Sequence, residues 1–366
     1  MDGKERIRRI LNREPSDRVG FWLGNPVDET KKKYYKHFGI QEDLESEFEK
    51  QKEKDSILLT KKGGRTDLEL AIKLNSDLIW VSPELDLSSW KHPEGKPMFD
   101  VFAGKPRKSL NQPGIFAECE SIKEIEEFEW PNAQYLDFSN CIARLDDASS
   151  NGMAVVGGMW MPFFHVVSDF FGMDNYFIKM YTNPDVILAA TEKVVDFYLE
   201  ANKRCLDAMG DKLDAAFFGN DFGSQLDLLI SPKAFNRFVL PYFKKLIEQM
   251  KSYNLKVILH SCGSIRKVIP QLIDAGVDAL HPLQAKAAGM DAESLAKEYK
   301  NDLIFMGGVD TQELLPFGTP QQIKQEVKRL KSLFGDGFIV SPSHEALLPN
   351  VSIENVMAMR DAVLES

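Results

Sequence analysis

The chain has 366 residues, 43% of them hydrophobic and 27% charged, with a formal net charge of −10. An acidic chain lacks the basic face that nucleic acid needs, and no apolar run approaches the ~20 residues of a membrane span, which argues against both as partners. The N-terminal MDGKERIRRILNREP has no signal-peptide core, and Cys119, Cys141, Cys205 and Cys262 lack disulfide-framework spacing, so a cytoplasmic protein is expected.

Short apolar runs recur along the chain: RVGFWLG (18–24), DLIWVS (77–82), MAVVGGM (153–159), DAAFFGN (214–220), KVILHSC (256–262), DALHPLQ (278–284), LIFMGGV (303–309) and GFIVSPSH (337–344). Continuous runs, unlike alternating ones, suit strands covered on both faces, as in a parallel sheet. Between the second and third runs lies a long aromatic- and proline-rich segment, about 83–152, read as an insertion forming a hairpin or lid near the barrel mouth. After the third run, GGMWMPFFHVVSDFFG carries His165 among Trp160, Phe163, Phe164, Phe170 and Phe171. These rings could line a flat ligand or simply pack as core. Ser231-Pro232 opens a helix through about Met250. Thr319, Pro320 and Gln322 form the start of a capped helix over 319–334, with Ile323, Val327, Leu330 and Phe334 on one face and Gly335 at its end. Ser352 opens the last helix, 353–364.

Eight runs separated by helices predict an α/β chain folded as one (β/α)8 TIM barrel domain over 1–366. The rival doubly wound sheet would show a glycine-rich phosphate turn, and only the pairs Gly157-Gly158 and Gly307-Gly308 occur.

In such barrels chemistry sits at the C-terminal ends of the strands. Polar residues stand there throughout: Asn220 and Asp221, His260 and Cys262, Gln284, Asp310, then Ser343, His344 and Glu345. Any one of them could simply meet loop backbone, but all converge on one mouth. His260 and Cys262 are the sharpest. Positions i and i+2 of a strand face one side, so an imidazole and a thiolate can hold one tetrahedral ion. The plainer alternative is a buried thiol beside a hydrogen-bonded histidine. A third ligand must come from another strand. His281 lies mid-strand before Pro282 and is expected to pack. His344, with Glu345 next, is the preferred third ligand.

HSCG (260–263), GNDFGSQLDLLISPKAFNRFVLPYFKKL (219–246), MGGVDTQELLPFGTPQQI (306–323) and SPSHEALLPNVSIENV (341–356) resemble the uroporphyrinogen decarboxylase superfamily, which includes zinc- and corrinoid-dependent methyltransferases. The resemblance runs from EPSDRVGFWLGNP (14–26) onward and implies the same barrel. Decarboxylases carry an arginine-rich loop (RQAGR) after the first strand to grip porphyrinogen carboxylates. The matching place here is Trp22-Leu23-Gly24-Asn25-Pro26, without arginine. Trp22 and Asn25, with Asn220, Gln284 and His165, therefore stand as substrate contacts of another kind. The methyltransferase branch holds zinc with His-x-Cys and a later cysteine. His260 and Cys262 match the pair, while His344 stands at the last position. Replacing a thiolate by an imidazole makes the ion formally more positive, a stronger Lewis acid.

The resemblance thus implies a zinc enzyme. It would move a methyl group between a small O-, N- or S-methyl compound, or a thiol acceptor, and a corrinoid carried by a partner protein. Asp221, Asp310 and Glu345 would orient substrate or shuttle a proton. Two other readings stand beside this one: a uroporphyrinogen decarboxylase, and a non-enzymatic corrinoid- or metal-binding accessory protein. Assembly as a homodimer is open.

Overall fold

The computed structural model describes residues 1–41, 65–83, 89–284 and 286–365; residues 84–88 of the expected insertion lie outside this range. All the apolar runs form strands: β1 Gly20–Phe21, β2 Leu78–Val81, β3 Ala154–Gly157, β4 Ala215–Gly219, β5 Val257–His260, β6 Ala279–Leu283, β7 Ile304–Val309 and β8 Phe338–Pro342. Every ladder is parallel, in the order β1-β8-β7-β6-β5-β4-β3-β2. The protein is a TIM-like barrel, nearly closed. Asp77 joins the two ends. Its N–H donates to Phe21 O (2.9 Å), and its carboxylate accepts from Phe21 N (2.8 Å), Arg6 (2.6 Å) and Arg18 (2.7 Å).

Alternate strand residues fill the lumen. Trp22, Leu78, Trp80, Val156, Phe217, Ile258, Met306 and Ile339 form one buried cluster with Ile7, Ile10 and Leu11 of the helix Gly3–Leu11. That helix closes the end of the barrel where the strands begin: Lys4 N–H donates to Gly152 O, just before β3. The opposite end is left as the mouth. A larger cluster packs the outward faces of the strands against the surrounding helices.

The helix Pro320–Phe334 has the expected capping box of Thr319 and Gln322, and Ile323, Val327, Leu330 and Phe334 are its buried face. The helix expected from Pro232 to Met250 is two helices, Pro232–Phe238 and Leu240–Ser252. The break falls beside Pro241, whose ring cannot continue the helical hydrogen-bond ladder. Among its described residues, the 83–152 segment holds helices where a hairpin or lid is expected. Its helix Ser139–Ser150 packs on β2 and β3 as a barrel crossover. The part before it packs Phe116 on Phe170, 5.0 Å between ring centres, and Phe99 on Phe197 (5.1 Å), and so leans on helices that follow β3. Among the described residues no helix is long and apolar enough to cross a membrane.

Candidate active site

β5 pairs in register with β4 and β6, placing His260 beside Gly219 and His281. The strand ends at His260, so Cys262 sits in the following loop and not on the strand itself. Three hydrogen bonds shape the turn. Cys262 N–H donates to Asp221 Oδ1 (2.8 Å), Gly263 N–H to Gln284 Oε1 (2.6 Å), and Asp221 N–H to His165 Nε2 (2.9 Å). Gly263 has φ +86°, and a Cβ there would lie 2.4 Å from the Gly223 backbone, so the turn requires glycine.

The result is a compact donor cluster. His260 Nε2 lies 3.4 Å from Cys262 Sγ and 3.3 Å from Asp221 Oδ1. On the other side of the ring, His260 Nδ1 lies 3.0 Å from His281 Nδ1 and 3.7 Å from Glu345 Oε2. His344 Nδ1 is also 3.7 Å from Glu345 Oε2 and accepts a hydrogen bond from Ala346 N (3.1 Å). Trp160 packs against His260 at 5.4 Å and walls one side of the mouth. Glu345 is set from β1: Asn25 N–H donates to Glu345 O (2.7 Å), and a Cβ on Gly24 would come within 2.8 Å of that oxygen.

Burial raises the pKa of the Asp221 carboxyl, but the hydrogen bond and charge of His260, with His165 and the Cys262 N–H, outweigh it and hold the group well below the carboxylate range. Burial also opposes charge on His260. Glu345, Cys262 and Asp221 reverse this and lift it well above the ordinary histidine value. The Cys262 thiol is pushed up by burial to about 11, against the pull of His260. Burial and the neighbouring His260 and His344 keep His281 neutral, its pKa far below normal, and burial likewise lowers His165.

Do these residues fit a metal? Donors at ~2.0–2.3 Å from one tetrahedral ion stand ~3.3–3.8 Å apart. The Nε2–Sγ and Nε2–Oδ1 separations, 3.4 and 3.3 Å, match. Among the described residues, donor atoms within 4.8 Å of one another form the sets Asp221–His260–Cys262, His260–His281–Glu345 and Cys262–His344–Glu345. The expected set of His260, Cys262 and His344 is not among them.

The other expected site residues make the following contacts. Asn220 is 1% exposed, and its amide accepts from Phe164 N (2.9 Å) and donates to Met161 O (2.9 Å), tying β4 to the helix Phe163–Phe171. Asp310, expected to be catalytic, accepts from the backbone N–H groups of Gln312, Glu313 and Leu314, so it caps the turn after β7. Gln284 holds the Cys262 loop. Trp22 is buried in the lumen, 5.2 Å from the His281 ring. His281 was expected only to pack, yet it is the nearest ring nitrogen to His260. The signal for it was strand parity: His260 and His281 both point inward at matched positions on neighbouring strands, an alignment visible only once the register is known.

A model of the family described as Uroporphyrinogen decarboxylase (URO-D) matches residues 104–366. The methylcobamide:CoM methyltransferase MtbA of Methanosarcina mazei is 22% identical over 225 residues, 60% of this chain and 62% of that protein. The methylated-thiol–coenzyme M methyltransferase of the same organism is 26% identical over 164 residues (44% and 40% of the two chains). A uroporphyrinogen decarboxylase of Geobacter sp. is 27% identical over 191 residues, half of each chain. The chain thus matches less than two thirds of each relative's length, from 40% to 62%. A solved methyltransferase from Methanosarcina mazei shares the fold, with a TM-score of 0.67 over 100% of this chain and 99% of that one at 18% identity.

Proposed function

The chain belongs to the uroporphyrinogen decarboxylase family, and within it we propose a zinc-dependent methyltransferase that works with a corrinoid carried by a partner protein. The observation that carries this reading is the donor set at the end of β5: His260 Nε2 stands at tetrahedral-edge distance from both Cys262 Sγ and Asp221 Oδ1. The naming of MtbA and of the thiol–coenzyme M enzyme as methyltransferases supports the same direction. Zinc, when bound, would supply a Lewis acid that lowers the pKa of a coordinated sulfur or oxygen.

Asp221, not His344, is the third donor in this reading. His344 Nδ1 accepts the Ala346 N–H, so a neutral His344 carries its proton on Nε2 and offers no lone pair. Asp221 is already ionised and is held against Cys262 by the loop N–H. This alters the expected charge. One imidazole, one thiolate and one carboxylate neutralise a divalent ion, where two imidazoles and one thiolate would leave +1. A neutral set preserves the nucleophilicity of a sulfur substrate. A thiol acceptor receiving the methyl group from the corrinoid is therefore favoured over activation of an O- or N-linked methyl donor. Transfer to a thiol releases a proton, and the Glu345 carboxylate at the mouth is placed to take it. Trp160 forms the apolar wall beside the substrate position.

The test is metal analysis of protein purified without added metal, together with turnover of methylcobalamin and small thiols. About one zinc per chain, lost in Cys262→Ser along with thiol methylation, is the expected result. Metal-free protein that consumes uroporphyrinogen would overturn the proposal in favour of the decarboxylase reading. Zinc binding without turnover of any methyl donor would favour an accessory protein.

A further inference from the structure

We propose that His281 is a positioning residue: it accepts the Nδ1 proton of His260 and so fixes the tautomer that presents Nε2 to the metal. This rests on the zinc reading above. His281 is fully buried and His260 is 5% exposed. Their Nδ1 atoms are 3.0 Å apart, a hydrogen bond in which one ring donates and the other accepts. Ligation through Nε2 uses that lone pair of His260, so its hydrogen must sit on Nδ1. His281 must then offer its own Nδ1 lone pair and carry its hydrogen on Nε2.

The cost is visible in the structure. Among the described residues His281 Nε2 is buried with no hydrogen-bond partner, between the rings of Trp22 (5.2 Å) and Phe217 (5.4 Å), both edge-to-face. A buried N–H without an acceptor is unfavourable, and a leucine or phenylalanine would fill the same lumen position without that penalty. An acceptor for His260 explains why an imidazole stands there. β6 is built for the purpose: its register against β7 shifts between Leu280 and Leu283, around His281, while the pairing with β5 stays matched. Such irregularities re-aim side chains near sites. Metal-binding histidines usually donate their second N–H to a carboxylate, a carbonyl or water. A neutral imidazole serves the same purpose without adding negative charge to the donor set.

The variants His281→Asn, His281→Gln and His281→Leu separate the possibilities. Asparagine places an amide oxygen near the Nδ1 position, glutamine near Nε2, and leucine supplies no acceptor. Zinc affinity is read by competition with a chromophoric chelator, and the donor geometry by the visible spectrum of the cobalt(II)-substituted protein. Thermal melts confirm folding. The expected result is a ~10–100-fold loss of zinc affinity in the Leu and Gln variants, with an altered cobalt spectrum, and recovery of most of it in Asn. Wild-type affinity in folded Leu and Gln variants would overturn the inference. Complete loss of zinc in all three folded variants would also overturn it, by making His281 a direct ligand. A wild-type chain that takes no zinc defeats the metal reading itself, which keeps the two failures distinct.

Discussion

Replacing Asp221 by asparagine tests the donor set directly. The substitution keeps the shape of the side chain and removes its charge. The Cys262 N–H at 2.8 Å still finds an amide oxygen. What is lost is the difference between a charged and a neutral acceptor, about 1 kcal/mol, so the loop should stay folded. Two effects then compete at the metal. Removing the carboxylate 3.3 Å from His260 Nε2 lowers the proton affinity of that imidazole, which favours zinc. At an effective dielectric of ~20 the lost attraction is at most about 5 kcal/mol, and the burial that opposes charge on His260 already cancels much of it. Against this, the ion loses its second anionic donor. We expect the donor loss to dominate, with zinc affinity falling ~100-fold, about 2.7 kcal/mol, in chelator competition at neutral pH. His344→Ala should stay within ~3-fold of wild type. The reverse pattern, with zinc retained by Asp221→Asn and lost by His344→Ala, would refute the assignment and restore the histidine that the sequence alone favoured.

Two further outcomes follow from the same geometry. With its thiol lifted to about 11 by burial, metal-free Cys262 is protonated at neutral pH. Alkylation by iodoacetamide should be slow there and accelerate ~tenfold per pH unit up to that value, because the thiolate is the nucleophile; rapid neutral-pH labelling would contradict the burial argument. Asn220→Ala should lower unfolding stability by about 2–4 kcal/mol in denaturant titrations, since it strands Phe164 N–H and Met161 O in the interior, while zinc stoichiometry holds. An unchanged denaturation midpoint with a raised KM would return Asn220 to the substrate.

The barrel was legible because its strands are covered on both faces, which makes each a continuous apolar run at a regular interval. Helix caps were equally plain, since Thr319, Pro320 and Gln322 act within one turn. Strand-end polar residues were legible as a group but not one by one. Asp310 and Asp221 look alike in sequence, each following a strand. One caps its own chain three residues on, and the other accepts from a different loop. Local sequence does not encode which N–H groups will be orphaned nearby, so the two roles separate only in three dimensions. His281, a downstream candidate set aside as a packing residue, was misjudged for the same reason: its partner is set by the β5–β6 register. The 139–150 helix was absorbed into an expected insertion because the aromatic-rich segment before it hides the crossover.

The loop after β1 shows how this mouth departs from one that grips polycarboxylates. The resemblance places arginines there in porphyrinogen decarboxylases, where paired guanidinium groups suit carboxylate recognition. Here Trp22 turns into the lumen against Phe217 and His281. Gly24 and Asn25 meet the Glu345 backbone instead, through a close approach that a side chain at Gly24 would block. In this chain the loop supports the backbone of an acid. That acid lies 3.7 Å from both His260 and His344, and with Asp221 it brings two carboxylates to the cluster around His260 and Cys262. A substrate bearing many carboxylates would meet like charge at this depth. A small thiol that loses one proton on reaction would meet an acceptor for it, which is what the proposed thiol methylation requires.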